Sequence, residues 1–471
     1  MNKYFETLSF DEFDNISAKQ WKQKIQVDLK GADYNKTMVW NTLEGIDVKP
    51  FYTTEDIEKV KIQNSAPPNW KICQKIYVAN TKKSNEKARD AIQRGTESIA
   101  FVIPTKEISI EKLFGGIDLN KIPVHLQMQF LDSGFIKNLK NYLEDKNAEI
   151  HLHIDIIGNL ARTGNWFHNL DKDHEVLSDI LQYSNTFETI LSVDASLYQN
   201  AGANNTQQLA YAMAHANEYL NFVNNVISND PTTAGSEKSV KINFNIAIGA
   251  NYFFEIAKIR ALRLLWNTIA SEYGITHDCH IFAQPSERNK TLYDYNVNML
   301  RTTTESMSAI LGGTDTICNL PYDNIYHKDN EFAERISRNQ LLILKNESYF
   351  DKTTNPADGS YYIESITQQL AEKALRIFKQ IEVGGGFLKQ LKEHTIQRKI
   401  KEQATAEQTL YDTEKQILVG TNKYVNEQDK MKSELELYPF VKTDSRKTLI
   451  EPILEQRLAE QIEQKRLENE A

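Results

Sequence analysis

The sequence predicts an α/β fold, a (β/α)₈ barrel with an N-terminal arm and a C-terminal helical extension. Three observations carry that reading. Seven strand-like runs, separated by amphipathic helices, begin at about residue 98, and such alternation builds a parallel sheet. Seven is one short of barrel closure, so one strand must be weak. No G-x-G-x-x-G turn follows any of the runs, which disfavours an open doubly wound sheet. At 471 residues the chain exceeds one ordinary compact core, and a large barrel with extensions fits.

The arm comes first, over residues 1–60. Ser17 and Gln20 form a capping box and Gly31 supplies a stop. Between them one short helix carries Trp21, Ile25 and Leu29 along a single stripe. Trp40, Thr42 and the extended run Ile46–Tyr52 follow, with Pro50 demoting the run to an edge strand or strap. Trp21, Trp40 and Tyr52 are large aromatics in a segment with little core of its own. They are candidates for wrapping a partner, or for folding back on the barrel.

The barrel occupies residues 61–400. Its candidate strands are Ser98–Ile103, Val124–Phe130, Glu149–Ile156, Thr189–Asp194, Lys241–Ile248, Cys279–Ala283 and Asp315–Asn319. One intervening helix carries Leu209, Met213, Ala216, Leu220, Val223 and Ile227 at alternating spacings of four and three, and another runs from about Tyr252 to Tyr273. The Gly384-Gly385-Gly386 run lacks the Lys-Ser/Thr of a phosphate loop and reads as a turn. Residues 401–471 form the extension. From Thr443 onward Leu449, Ile450, Ile453, Leu454, Leu458 and Ile462 fall on helical spacing, predicting a helical tail.

Composition narrows the function classes. The formal charge is −9, from 55 basic and 64 acidic residues, with no basic stripe of the kind that binds nucleic acid or a membrane surface. Cys73, Cys279 and Cys318 lie far apart, which excludes a cysteine zinc site and a disulfide framework. The opening Met1–Glu6 starts no signal-peptide run, and no 18-residue apolar stretch occurs. A cytoplasmic location is expected.

The strands carry the sharper signal. Val124, Leu126 and Met128 alternate with His125, Gln127 and Gln129; Leu152 and Ile154 with His151, His153 and Asp155; Ile242, Phe244 and Ile246 with Lys241, Asn243 and Asn245. The apolar face must meet the helices, so the lumen is expected to be polar. It is then either a channel for a polar ligand or a plug of hydrogen-bonded side chains, and the bulk of His, Gln and Asn favours the plug. His151 and His153 lie on one strand face, but no third metal ligand at suitable spacing is apparent. No metal is expected. Asp155 and Asp194 end successive strands, where helix capping or pairing with Arg is the commoner role than acid–base chemistry.

Several segments resemble methylmalonyl-CoA mutase chains. They include Lys30-Gly31 with Pro50-Phe51-Tyr52, the run Gly249–Ala261 leading to Leu265-Trp266, and Val297–Thr302 with Gly312-Gly313-Thr314. Asn355–Glu364 and Val419–Tyr424 continue the series, in order from about residue 17 to 426. The resemblance implies a substrate-threaded barrel joined to a flavodoxin-like cobalamin domain, and interconversion of methylmalonyl-CoA and succinyl-CoA through adenosylcobalamin radicals. The departures are equally specific. The family's Asp-x-His-x-x-Gly cobalt signature has only Asp278-Cys279-His280 as a counterpart, without the glycine and within a strand, and 47 residues after Tyr424 are few for another domain. No cobalamin-binding domain is expected. Leu197 stands where the catalytic chains carry a histidine two positions before Gln199. The family's tyrosine loop before the first strand has no counterpart in Tyr77–Gly95, and Phe282-Ala283-Gln284 keeps only Gln284 of a histidine-led stretch. Arg162, one residue out of register, is the nearest match to a substrate-carboxylate arginine. Arg162 and Gln284 therefore read as remnants of a substrate site, and His125, Gln127, His153, Asn243 and Asn245 as occluding the lumen where the family has small residues.

The resemblance thus implies a small, non-catalytic subunit with no catalytic, cofactor or metal residues of its own. It would pair with a large catalytic subunit that holds adenosylcobalamin, or with itself when isolated. The alternative is the catalytic barrel of a split acyl-CoA mutase that uses a separate cobalamin-binding subunit.

Overall fold

Eight parallel strands close into a barrel. They are β1 (Lys71–Tyr77), β2 (Ser98–Ile103), β3 (Val124–Met128), β4 (Ile150–Ile154), β5 (Thr189–Asp194), β6 (Ile242–Ile248), β7 (His280–Pro285) and β8 (Thr316–Cys318), each paired with its neighbours in sequence and β8 closing on β1. The computed structural model describes residues 12–57, 69–229, 241–442 and 446–470. The opening Met1–Glu6, the arm–barrel boundary at 60/61, the side chain of Ile227 and the expected start of the tail at Thr443 lie outside the described residues.

The weak strand is β1. Gln74 sits there on the outward face, where the pattern calls for an apolar residue, and so breaks the run Ile72, Ile76, Val78. It is buried and accepts a hydrogen bond from Arg338 Nη1 (3.1 Å). The first strand is therefore not Ser98–Ile103, and Tyr77–Gly95 is not a loop before it. That stretch ends β1 and forms the helix Thr81–Gln93, capped by Asn80. Short capping residues set most strand-to-helix turns. Ser109, Asp132, Asp155 and Asn330 each accept a backbone N–H in the first turn of the helices Ile110–Phe114, Ser133–Leu143, Ile156–Thr163 and Glu331–Asn346. Asp155 shows why the expected strand Glu149–Ile156 ends at Ile154: its carboxylate opens a helix at Ile156.

The outward faces supply the core. Leu126, Leu152, Phe244, Ile248 and Ile281 are buried against the surrounding helices. Trp266, on the helix Tyr252–Glu272, meets Phe244 edge to face (5.6 Å). Six residues earlier on that helix, Arg260 pairs with Glu364 (2.6 Å) and Asp358 of the next layer. Arg263 fastens the helix to the barrel floor, pairing with Asp278 (2.9 Å) and Asp315 (2.7 Å) just before β7 and β8.

The arm begins with the helix Ala18–Asp28, whose Ser17–Gln20 capping box forms as predicted, and this helix buries no residue. Trp21 stacks on Phe51 (4.7 Å), Trp40 leans on Phe254 (5.9 Å) and Tyr52 on Tyr362 (5.1 Å). The arm thus folds back on the two outer helices, yet Trp21 and Trp40 each stay 52% exposed.

The C-terminal extension contains the helices Thr395–Asp412 and Glu460–Asn469. Between them the chain over 446–459 is an extended strap rather than the helix its apolar spacing predicts. Pro452 disfavours a helix there, and the backbone N–H groups are taken by the barrel loops: Leu449 by Gly164 (2.9 Å), Ile453 by Ala161 (2.8 Å), Gln456 by Asn200 (3.0 Å) and Leu458 by Arg288 (2.8 Å). Gly164 allows this approach. Its φ is +78°, and a Cβ there would lie 2.7 Å from the Ile450 carbonyl oxygen. Gly164→Ala is expected to cost about 1–3 kcal/mol and to speed tryptic cleavage at Lys447 and Arg457. Unchanged cleavage in limited proteolysis would show that the strap does not depend on this contact.

Candidate functional site

The C-terminal ends of the strands surround a cavity of about 570 Å³, at the end of the barrel where active sites sit. Arg162 and Gln284, far apart in sequence, both line it, and Gln127, His153 and Asn245 lie among the groups facing it from the strands. His125 and Asn243 are fully buried one layer deeper.

Arg162 ends the helix that Asp155 begins. Its guanidinium reaches Asp194 at the end of β5 (2.6 Å) and Glu455 of the strap. Burial opposes its charge, but these two carboxylates outweigh burial and hold its pKa above the ordinary arginine value. Glu455 also accepts from Asn200 Nδ2 (3.1 Å). Across the mouth, Lys75 of β1 donates to Gln284. Sequence reasoning missed Lys75 with its strand, and missed Glu455 because it lay in a segment read as helix.

Asp155 is a structural carboxylate. It accepts from Gly158 N (2.7 Å), Asp194 N (2.7 Å) and the Tyr219 hydroxyl (2.6 Å), and lies 2.9 Å from His215 Nε2. Burial pushes its pKa up, but His215, Tyr219 and the Asp194 amide together bring it below the usual carboxylate value. Leu197 is fully buried in the main apolar core, so it presents nothing to the cavity. Gln199 instead accepts from the buried Lys258 (2.9 Å).

Below the cavity the inward side chains of the strands touch one another across the axis. His125 stacks on His151 (4.5 Å between rings, 11° between planes), and His280 packs against His151 (4.3 Å). His125 Nδ1 and His153 Nε2 share a hydrogen bond (3.1 Å), and His153 sets its edge on Phe282 (5.3 Å). His280 Nδ1 donates to Asn243 Oδ1 (2.6 Å), and Asn243 Nδ2 donates to Ser192 Oγ (3.0 Å) and Asn245 Oδ1 (2.9 Å). On the opposite wall Cys73, Ala100, Phe282 and Cys318 form a small buried cluster, with Cys73 and Cys318 as register partners. The rings packed against His151 are those of His125 and His280, from other strands, a grouping that spacing within one strand could not reveal.

A model of the methylmalonyl-CoA mutase family matches residues 107–469. The chain belongs to the methylmalonyl-CoA mutase family. It is 35% identical over 448 residues to the methylmalonyl-CoA mutase small subunit of Porphyromonas gingivalis, covering 88% of this chain and 71% of that protein. It is 30% identical to the methylmalonyl-CoA mutase of Cereibacter sphaeroides, covering 86% and 64%. The methylmalonyl-CoA mutase large subunit of P. gingivalis is 28% identical, covering 82% and 61%. The chain thus spans less than two thirds of the length of these last two relatives. The family's cobalamin does not fit His280, the one histidine in an Asp-x-His sequence. Its ring lies inside the barrel with Nδ1 on Asn243 and Nε2 on Thr316 (3.2 Å). Among the described residues no further sheet follows β8.

The buried histidines make stability depend on pH. Burial, with repulsion from His151 and Lys75, lowers the His153 pKa to about 3, and burial among the other histidines lowers His125 and His280 well below the usual value. Unfolded histidines bind protons near pH 6.5. These groups therefore contribute full stability above pH 6.5 and lose it as pH falls toward their folded values. Urea unfolding at pH 7, 6 and 5 should show a falling free energy. His153→Gln should flatten that fall by up to about 1.4 kcal/mol per pH unit, and identical slopes would contradict the assignment. Asp155→Ala, which leaves several buried donors unpaired, should cost about 2–5 kcal/mol by the same measurement at pH 7.

Proposed function

We propose that the chain is the non-catalytic small subunit of a heterodimeric, adenosylcobalamin-dependent methylmalonyl-CoA mutase. The large subunit would hold the cofactor and interconvert methylmalonyl-CoA and succinyl-CoA, and the small subunit would support it. The observation that carries this reading is the filled barrel axis. His125, His153 and Phe282 are buried within the barrel and bonded or packed to one another, and the buried Asn243 bonds to His280; on this reading they leave no bore for a thioester arm. Gln127 and Asn245 narrow the mouth above them.

The absence of a catalytic histidine at Leu197 and the enclosed position of His280 support the same assignment. So does the small-subunit relative. The exposed aromatics Trp21 and Trp40, together with Tyr52, make the arm our candidate surface for the large subunit, since Trp and Tyr concentrate in interface cores. Among the described residues no helix is long and apolar enough to cross a membrane. The formal charge of −9 supports a complex that binds neither a membrane surface nor nucleic acid, and we place it in the cytoplasm.

One observation favours a second reading. The mouth cavity keeps Arg162 and Gln284 together, as the catalytic barrel of a split acyl-CoA mutase would need. Arg162 there is already paired with two carboxylates, which offset its charge and weaken its pull on a third.

The decisive measurement is reconstitution. The tagged chain, co-expressed with a large subunit, should recover it in equal amount, and Trp21→Ala with Trp40→Ala should weaken the pair about 10- to 100-fold. The chain with adenosylcobalamin alone should convert no methylmalonyl-CoA. Turnover by the chain with adenosylcobalamin and a separate cobalamin-binding subunit, in the absence of the large subunit, would establish the split-enzyme reading instead.

A further inference from the structure

We propose that the histidines on the barrel axis form a transition-metal site: His125, His151 and His280 bind one divalent cation of the zinc class. Each offers a ring nitrogen within 4.8 Å of those of the other two. They come from β3, β4 and β7, so the barrel's closure assembles the set.

Two of the three rings already have their tautomer set by a neighbouring acceptor. Metal-binding histidines have their second nitrogen held by an acceptor, which fixes the tautomer and aims the free lone pair. Here His151 Nε2 donates to the Glu149 carboxylate (3.2 Å), leaving Nδ1 as an acceptor, met by the Thr189 hydroxyl (3.2 Å). His280 Nδ1 donates to Asn243, leaving Nε2 as an acceptor, met by the Thr316 hydroxyl (3.2 Å). His125 Nδ1 is engaged with His153, and its Nε2 is buried without a hydrogen-bond partner. A buried unpaired ring nitrogen is costly, and a cation would satisfy it. Two threonine hydroxyls hold the other two lone pairs and can turn away. Burial and mutual repulsion lower the His125 and His280 pKa values, which keeps both rings in the neutral form that binds metal.

Three imidazoles with no thiolate suit Zn²⁺, Co²⁺ or Ni²⁺ rather than Mg²⁺ or Ca²⁺. Bonds of about 2.0–2.1 Å imply ligand nitrogens about 3.3 Å apart, so the rings must draw together and the His125–His151 stack must slip. The route in is from the N-terminal end of the barrel, where the Glu149 side chain is 53% exposed.

Isothermal titration of Zn²⁺ into the full chain, in chelator-buffered solution, should find one ion per chain. Co²⁺ in its place should give visible d–d absorption of nitrogen-ligand type. Glu149→Ala alters only an exposed positioning residue and should weaken binding about 10- to 100-fold. His125→Gln and His280→Gln should abolish the high-affinity site, and His394→Asn, at an exposed histidine, should leave it intact. If the lumen variants fail to fold, the Co²⁺ spectrum of the unaltered chain and the Glu149→Ala titration still decide. No Co²⁺ band, or zinc binding that Glu149→Ala and the lumen variants leave unchanged, overturns the proposal.

Discussion

A barrel of eight strands must fill its own axis, and in this chain polar side chains do much of the filling. That constraint shapes the rest. Each buried donor or acceptor needs a partner or costs about 1–3 kcal/mol, so the inward residues cannot be placed independently. His153 answers His125, His280 answers Asn243, and Asn243 answers Ser192. The chain of contacts crosses from β3 to β4 and from β7 through β6 to β5. The cluster made by Cys73, Ala100, Phe282 and Cys318 is largely apolar, and it closes the circuit from β7 through β8 and β1 to β2. A barrel held this way keeps its register from inside as well as from the helices outside.

The mouth follows a second rule, that charge at a partly buried position must be met. Arg162 lies between Asp194 from the barrel and Glu455 from the strap. The same strap donates backbone hydrogen bonds to the loops after β4, β5 and β7. The C-terminal extension is thereby tied to the face of the barrel where chemistry is placed in enzymes of this architecture. The arm is tied differently, through ring contacts to Phe254 and Tyr362 that leave much of each indole in solvent. The strap lies across the barrel mouth, and the arm keeps Trp21 and Trp40 half exposed.

The architecture was legible in the sequence wherever alternation was clean. Ser98–Ile103 and Thr189–Asp194 match β2 and β5 residue for residue, and the alternating faces of β3, β4 and β6 correctly separated core from lumen. β1 was hidden because Gln74 occupies a core-facing position, and only its contact with Arg338, over 250 residues away, makes that tolerable. The strap was misread because apolar residues at helical spacing can equally serve an extended segment pressed against a surface. In the site, single-strand pairs such as His151 with His153 were visible. The joining of His125, His151 and His280 was not, because it depends on the curvature that closes the sheet, and residue spacing carries no record of curvature.

Family membership and a filled axis are compatible because they rest on different faces of the same strands. The outward residues set how the helices pack, and therefore the shape that a partner meets. They can stay under the same packing demands in a subunit that handles substrate and in one that does not. The inward residues decide whether anything passes through. Small inward side chains leave a bore, and its walls must then be stabilised by the ligand or by water. Imidazoles and amides that bond and pack to one another reduce that requirement, although His125 Nε2 and His153 Nδ1 stay without a hydrogen-bond partner. On the reading proposed here, the chain has exchanged passage for internal support while keeping the outer helices on which the arm rests.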